Sequence, residues 1–143
     1  MVFGEDRLDE KLFEAGFDSM QKTLFIVEGL LMYIPPPAVD GLLAFIRSNS
    51  AAGSSLVADV FDTTVVDGTS PLKEAQVLRS FVEGQGSPLR FGIPDETVET
   101  FFKQRGFRTV RRTTPAQCKK SYFNAASRNR SVSPMFQFVY AAT

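Results

Sequence analysis

The chain has 143 residues, 43% of them hydrophobic, 22% charged and 14 of them Phe, which excludes a wholly disordered protein and allows one domain burying roughly two-thirds of the surface its unfolded chain exposes. Sixteen basic residues balance sixteen acidic ones; a nucleic-acid-binding domain would need an excess of Lys and Arg to neutralise phosphates. No His is present and Cys118 is the single cysteine, so catalytic triads with a His base, His-containing zinc sites and an internal disulfide are all excluded, and no metal is expected.

Leu8, Leu12 and Ala15 recur at helical spacing between Asp6 and Ala15, and Gly16 stands where a helix would stop. The run from Thr23 to Val27 is continuously apolar, as in a parallel strand buried on both faces. Pro35, Pro36 and Pro37 open a second helix whose apolar face is Val39, Leu42, Leu43 and Ile46. Ser55 to Phe61 is a second buried strand, and the strand-helix-strand order implies a parallel pair with a right-handed crossover. Thr63 to Ser70 reads as polar loop, and Pro71 to Glu83 as a helix with Leu72, Ala75, Leu78 and Val82 on one side. Gly84-Gln85-Gly86 stops that helix.

Asp95 is a plausible N-cap for a helix that buries Val98, Phe101 and Phe102 and ends at Gly106. Arg108 to Thr113 reads as a strand. Thr114-Pro115-Ala116-Gln117 has capping-box spacing with Pro at the first helical position, predicting a helix to about Phe123. Asn124 to Pro134 is polar loop, and Met135 to Ala142 alternates Phe136, Phe138 and Tyr140 against Gln137, Val139 and Ala141, as a final strand would. The whole is an α/β pattern with an antiparallel strand pair at its C-terminal end.

The segment Thr23 to Pro36, TLFIVEGLLMYIPP, places the carboxylate of Glu28 at the end of an apolar strand. Burial of that charge would cost several kcal/mol without a partner, so the pattern suggests a site; a strand-end Glu in a solvated loop is the alternative. No apolar stretch is long enough to cross a bilayer. The charged run from Glu5 to Lys11 is unlike a signal-peptide apolar region, so a cytoplasmic location is expected. The basic residues Arg108, Arg111, Arg112, Lys119 and Lys120 read as a solvated face.

The residues E-G-L-L-M-Y followed by Pro, together with GSPLRFGIP, a helix ending RGF, and TTPAQCKKSYF in the same order, resemble the leucine carboxyl methyltransferase family, in particular its bacterial S-adenosylmethionine-dependent O-methyltransferases. The resemblance implies a Rossmann-like class I methyltransferase fold and runs over nearly the whole chain. It matches only the C-terminal half of such a protein, so residues 1–143 would form a single, partial methyltransferase domain. The family's glycine-rich turn and the acidic residue that holds the ribose hydroxyls have no counterpart here. Where relatives carry an acidic residue near the adenine, this chain has Val2 before Phe3, as if the family sequence were entered in mid-domain.

By resemblance Glu28 is a cofactor-binding residue facing the methionine part of S-adenosylmethionine, with Gly29 and Leu30 lining the same pocket; Gly29 reads equally well as a turn glycine. Met32 and Tyr33 read as core or pocket wall, and Tyr33, Arg90 and Phe91 are candidate substrate-binding residues. Arg90 would steer a carboxylate, or is an exposed loop Arg. A carboxylate acceptor needs no base, so no catalytic residue is assigned. A hydroxyl acceptor would need one, for which Asp59, Asp62 and Tyr122 are the candidates. Cys118, beside Lys119 and Lys120, is either reactive or an inert half-buried thiol. The expected acceptor is a small molecule or a protein, with neither nucleic acid nor membrane as partner. A sheet lacking its first strands would leave one edge open, which predicts a homo-oligomer or pairing with a chain that supplies the missing half. A non-catalytic α/β interaction module is the alternative function.

Overall fold

The structure is a computed structural model and describes residues 7–143; the expectation at Val2 lies outside the described residues. In chain order the elements are α1 (Leu8–Glu14), β1 (Leu24–Val27), a 3-10 turn (Leu31–Tyr33), α2 (Pro36–Ser48), β2 (Ser55–Phe61), α3 (Thr63–Asp67), α4 (Lys73–Gly84), a 3-10 turn (Asp95–Thr97), α5 (Val98–Gln104), β3 (Thr109–Thr113), α6 (Pro115–Tyr122) and β4 (Phe136–Ala142).

The four strands form one sheet in the order β1-β2-β4-β3. β1 and β2 are parallel, with Val27 opposite Ala58, as the intervening helix requires. β4 is antiparallel to both neighbours, pairing Val139 with Ala58 and with Arg112. The predicted antiparallel pair is thus present, and the final strand lies between β2 and β3.

One face of the sheet is packed. Leu56, Ala58 and Val60 of β2 and Val139 and Ala141 of β4 meet Val39, Leu43 and Ile46 of α2 and Val98 and Phe102 of α5 in a continuous core. In β4 it is therefore the set Gln137, Val139 and Ala141 that turns inward, while Phe138 and Tyr140 are exposed. Side chains alternate across a strand, so the opposite face carries rows such as Ile26, Val57, Tyr140 and Arg111. A second apolar cluster of Met32, Phe61, Val65, Ala75, Val82 and Leu89 ties α3 and α4 to the carboxyl end of β2.

α1 buries no residue of its own. It is attached through Phe13 and, just beyond its end, Phe17, whose rings lie 5.4 Å apart and pack on Phe45 and, for Phe17, on Phe25 at centroid distances of 5.9 to 6.3 Å. Arg105 joins α5 to α2: its guanidinium lies 3.4 Å from the Phe101 ring centroid and pairs with Asp40 at 2.7 Å.

Three expectations are corrected. β1 is not buried on both faces, since Leu24 is 56% and Ile26 68% exposed; among the described residues it is an edge strand, paired with β2 alone. Thr63–Asp67 is helical rather than loop, because the Asp62 side chain accepts the Thr64 N–H and Gly68 closes the turn at φ 83°. Asp95 does not cap the helix that follows it; its own N–H is held by Asp62 Oδ2 at 2.9 Å. Thr114 and Gln117 do form the reciprocal capping box expected of them. Among the described residues no helix is long and apolar enough to cross a membrane.

Candidate functional site

The carboxyl ends of β1 and β2 lie side by side, which is where open α/β sheets present ligands. Beyond Val27 the chain leaves the sheet through Glu28 and Gly29, and the Asp59 Oδ1 of β2 accepts the Gly29 N–H at 2.8 Å. Gly29 sits at φ +62°, a left-handed conformation that costs a residue with a side chain about 1–2 kcal/mol. Nothing lies within 4 Å of a Cβ built there. Backbone conformation, not crowding, is therefore what calls for glycine at this position.

The next residues form one wall. Leu31 and Met32 are buried in the 3-10 turn, and the Met32 carbonyl accepts the N–H groups of Arg90, at 2.7 Å, and Phe91. Ile93 N–H in turn donates to the Phe61 carbonyl at 2.9 Å. The segment from Arg90 to Ile93 is thereby stretched across the ends of both parallel strands. Gly92 makes this path possible, since a Cβ there would lie 2.8 Å from Val66 Cγ2 and 3.0 Å from the Thr63 backbone.

Glu28 is exposed, so the expectation of a buried charge at this position is corrected. The buried carboxylate is Asp59, only 6% exposed. Burial pushes its pKa above the ordinary Asp value and the nearby Glu28 charge adds to this, with the Gly29 hydrogen bond opposing. Leu30 is half-buried against the main core, and a cavity of about 210 Å³ runs along β1 past Ile26, Val27, Glu28 and Leu30. Tyr33 is half-buried on the second apolar cluster. Arg90 is exposed. Phe91 is buried, its ring 5.6 Å from that of Phe101; its side chain anchors the crossing segment and offers no surface to an acceptor.

The candidate bases are separated or occupied. Asp59 is enclosed and bonded to Gly29. Burial alone would raise the Asp62 pKa, yet hydrogen bonds from Thr64 and from the Asp95 N–H hold it below the ordinary value. Asp95 is shifted upward, by burial first and by the Asp62 charge second. Tyr122 is 80% exposed on α6, far along the chain from these turns. Cys118 is half-buried and lines a broad cavity of about 700 Å³ with Arg111, Tyr122, Phe138 and Tyr140 on the open face of the sheet. Among the described residues no group of acidic residues and cysteine could hold a metal ion.

What the sequence pattern did not reveal was Asp59 as the support of the turn, Gly92 as the close approach, and the Asp62–Asp95 link. The available signal for Asp59 was an acid inside the apolar strand SLVADVF. The other two depend on contacts between segments about thirty residues apart.

The order and directions of the four strands belong to the fold of S-adenosylmethionine-dependent methyltransferases. A solved methyltransferase of this kind from Archaeoglobus fulgidus superposes with a TM-score of 0.56 at 12% identity, over 93% of this chain and 64% of that one. Residues 3–47 match the leucine carboxyl methyltransferase family model, so this segment is similar to leucine carboxyl methyltransferases. Two curated relatives carry names that assign them provisionally as S-adenosyl-L-methionine-dependent methyltransferases. The one from Mycolicibacterium vanbaalenii is 46% identical over 38% of this chain and 18% of its own length. The other, from Mycolicibacterium smegmatis, is 35% identical over 55% of this chain and 23% of its own. The chain thus matches less than a quarter of the length of either relative.

Proposed function

We propose that this chain forms the cofactor-facing C-terminal part of an S-adenosylmethionine-dependent O-methyltransferase acting on a carboxyl or hydroxyl group. The observation that carries the reading is the Glu28-Gly29-Leu30 turn. It lies at the carboxyl end of β1 inside the matched segment, with an exposed carboxylate beside an apolar cavity. An anionic group beside an apolar wall suits the sulfonium and ammonium charges of the cofactor's methionine part, with the methylene groups between them lying on the wall.

When bound, the cofactor supplies an activated methyl group whose transfer is an in-line displacement by the acceptor oxygen. The chain's own residues have two tasks, to hold the reactants in line and to keep water away. Glu28 would bind the positively charged end, Gly29 would let the backbone turn close by, and Leu30 would cover the adjoining apolar part. Arg90, fixed by its backbone to Met32, would orient an acceptor carboxylate, and Tyr33 would bound the acceptor on the side of the 3-10 turn. Among the described residues the candidate bases Asp59 and Asp62 are both held by hydrogen bonds, which favours an acceptor that is already ionised.

Calorimetric titration of the chain with S-adenosylmethionine tests this. Binding in the micromolar range that weakens at least about tenfold in Glu28→Ala is expected, from loss of a charge-assisted contact. The absence of heat with the unaltered chain would refute the reading.

A further inference from the structure

We infer that Asp59 is the positioning residue of the cofactor turn: its carboxylate fixes Gly29, and the affinity of the Glu28 site rests on that hydrogen bond. The inference deepens the cofactor reading of Glu28 and depends on it.

Three observations converge on Asp59. It is 6% exposed on a strand whose neighbours are apolar, yet among the described residues it takes part in no ion pair. A buried carboxylate without a cation is costly, and an apolar residue of similar volume would normally serve the fold as well or better. Among the described residues the carboxylate's one partner outside its own residue is the Gly29 N–H at 2.8 Å. That N–H belongs to the second residue past the end of the β1–β2 ladder, where the sheet no longer dictates the path of the chain.

The turn also needs support from outside. Gly29 is free to adopt many conformations, and holding it at φ +62° costs backbone entropy that no side chain of its own can offset. Glu28, immediately before it, is exposed and has no ion-pair partner among the described residues. The carboxylate of Asp59 is thus the contact from β2 that turns a flexible Glu-Gly pair into a defined shelf at the strand end. Asp59 sits behind that shelf rather than on it, so its action on a ligand passes through Gly29.

Three substitutions separate the bond from the charge. In Asp59→Asn the amide oxygen still accepts the Gly29 N–H while the charge is gone. Asp59→Ala and Asp59→Val remove the acceptor, the second while filling the strand position with a β-branched side chain. Two readouts are taken: amide hydrogen exchange at Gly29 by NMR, and titration with S-adenosylmethionine. Asp59→Asn is expected to keep Gly29 protected and the affinity within about threefold of the unaltered chain, whereas Ala and Val each speed exchange at Gly29 and weaken binding by about tenfold or more. Unchanged Gly29 exchange in Ala or Val would overturn the positioning role. Equal loss of affinity in Asn, Ala and Val would overturn it too, by showing that the charge acts and the bond does not. Failure of the unaltered chain to bind at all would instead refute the cofactor reading, which the exchange measurement does not depend on.

Discussion

Asp59 lies inside β2 and Asp62 just beyond its end, three positions apart, yet their environments drive them in opposite directions. The folded-state pKa of Asp59 is raised, chiefly by burial, so the native protein takes up this proton at a higher pH than the unfolded chain does. Its contribution is therefore most favourable below the ordinary Asp value, near 3.9, and declines as pH rises through the folded value. Asp62, held below its ordinary value, contributes stability above that value and loses it as pH falls. Asp59→Asn removes the first effect alone. The melting temperature of the variant minus that of the unaltered chain should accordingly grow more positive from about pH 4 upward; a difference that is constant with pH would contradict a raised pKa at Asp59. The same residue shows where reading the sequence falls short. A carboxylate at the end of an apolar run marked Glu28 for burial, but a strand end can turn its last side chain to water, whereas Asp59, inside its strand, has no such choice.

At the level of elements, most of the order was legible because local chemistry and tertiary packing agree. α2 begins at its prolines and buries the apolar stripe that its spacing announces, and α6 begins at the capping box that Thr114 and Gln117 form. The short helix α3 was not legible. Its five residues have little helical propensity, and what holds them is the Asp62 cap at one end, Gly68 at the other and Val65 buried between α4 and β2. The dependence of a short helix on its cap is testable in α6, which has no buried residue to compensate. Thr114→Ala should destabilise the fold by about 1 kcal/mol in urea denaturation, with an unchanged slope. An unchanged midpoint would mean that α6 frays apart from the cooperative unit.

At the scale of the whole molecule, the two faces of the sheet are unequal. One is closed by α2 and α5; the other shows Leu24, Ile26, Phe138 and Tyr140 to solvent, and among the described residues the outer edge of β1 beside them is unpaired. The sequence indicates a parallel strand buried on both sides, since TLFIV is apolar throughout, whereas among the described residues Leu24 and Ile26 are left uncovered. Open strand edges and contiguous apolar faces favour pairing with another chain. The chain is therefore expected to form dimers or larger assemblies in light scattering, and to bind an apolar-surface dye. Ile26→Lys places a charge on the edge strand at its most exposed apolar position. Because Ile26 is already 68% exposed, this substitution should lower the assembled fraction while leaving the melting temperature of the monomer nearly unchanged. A monodisperse monomer that binds no dye would contradict the expectation. Assembly that persists undiminished in Ile26→Lys would move the contact away from β1, towards the Phe138 and Tyr140 end of the same face.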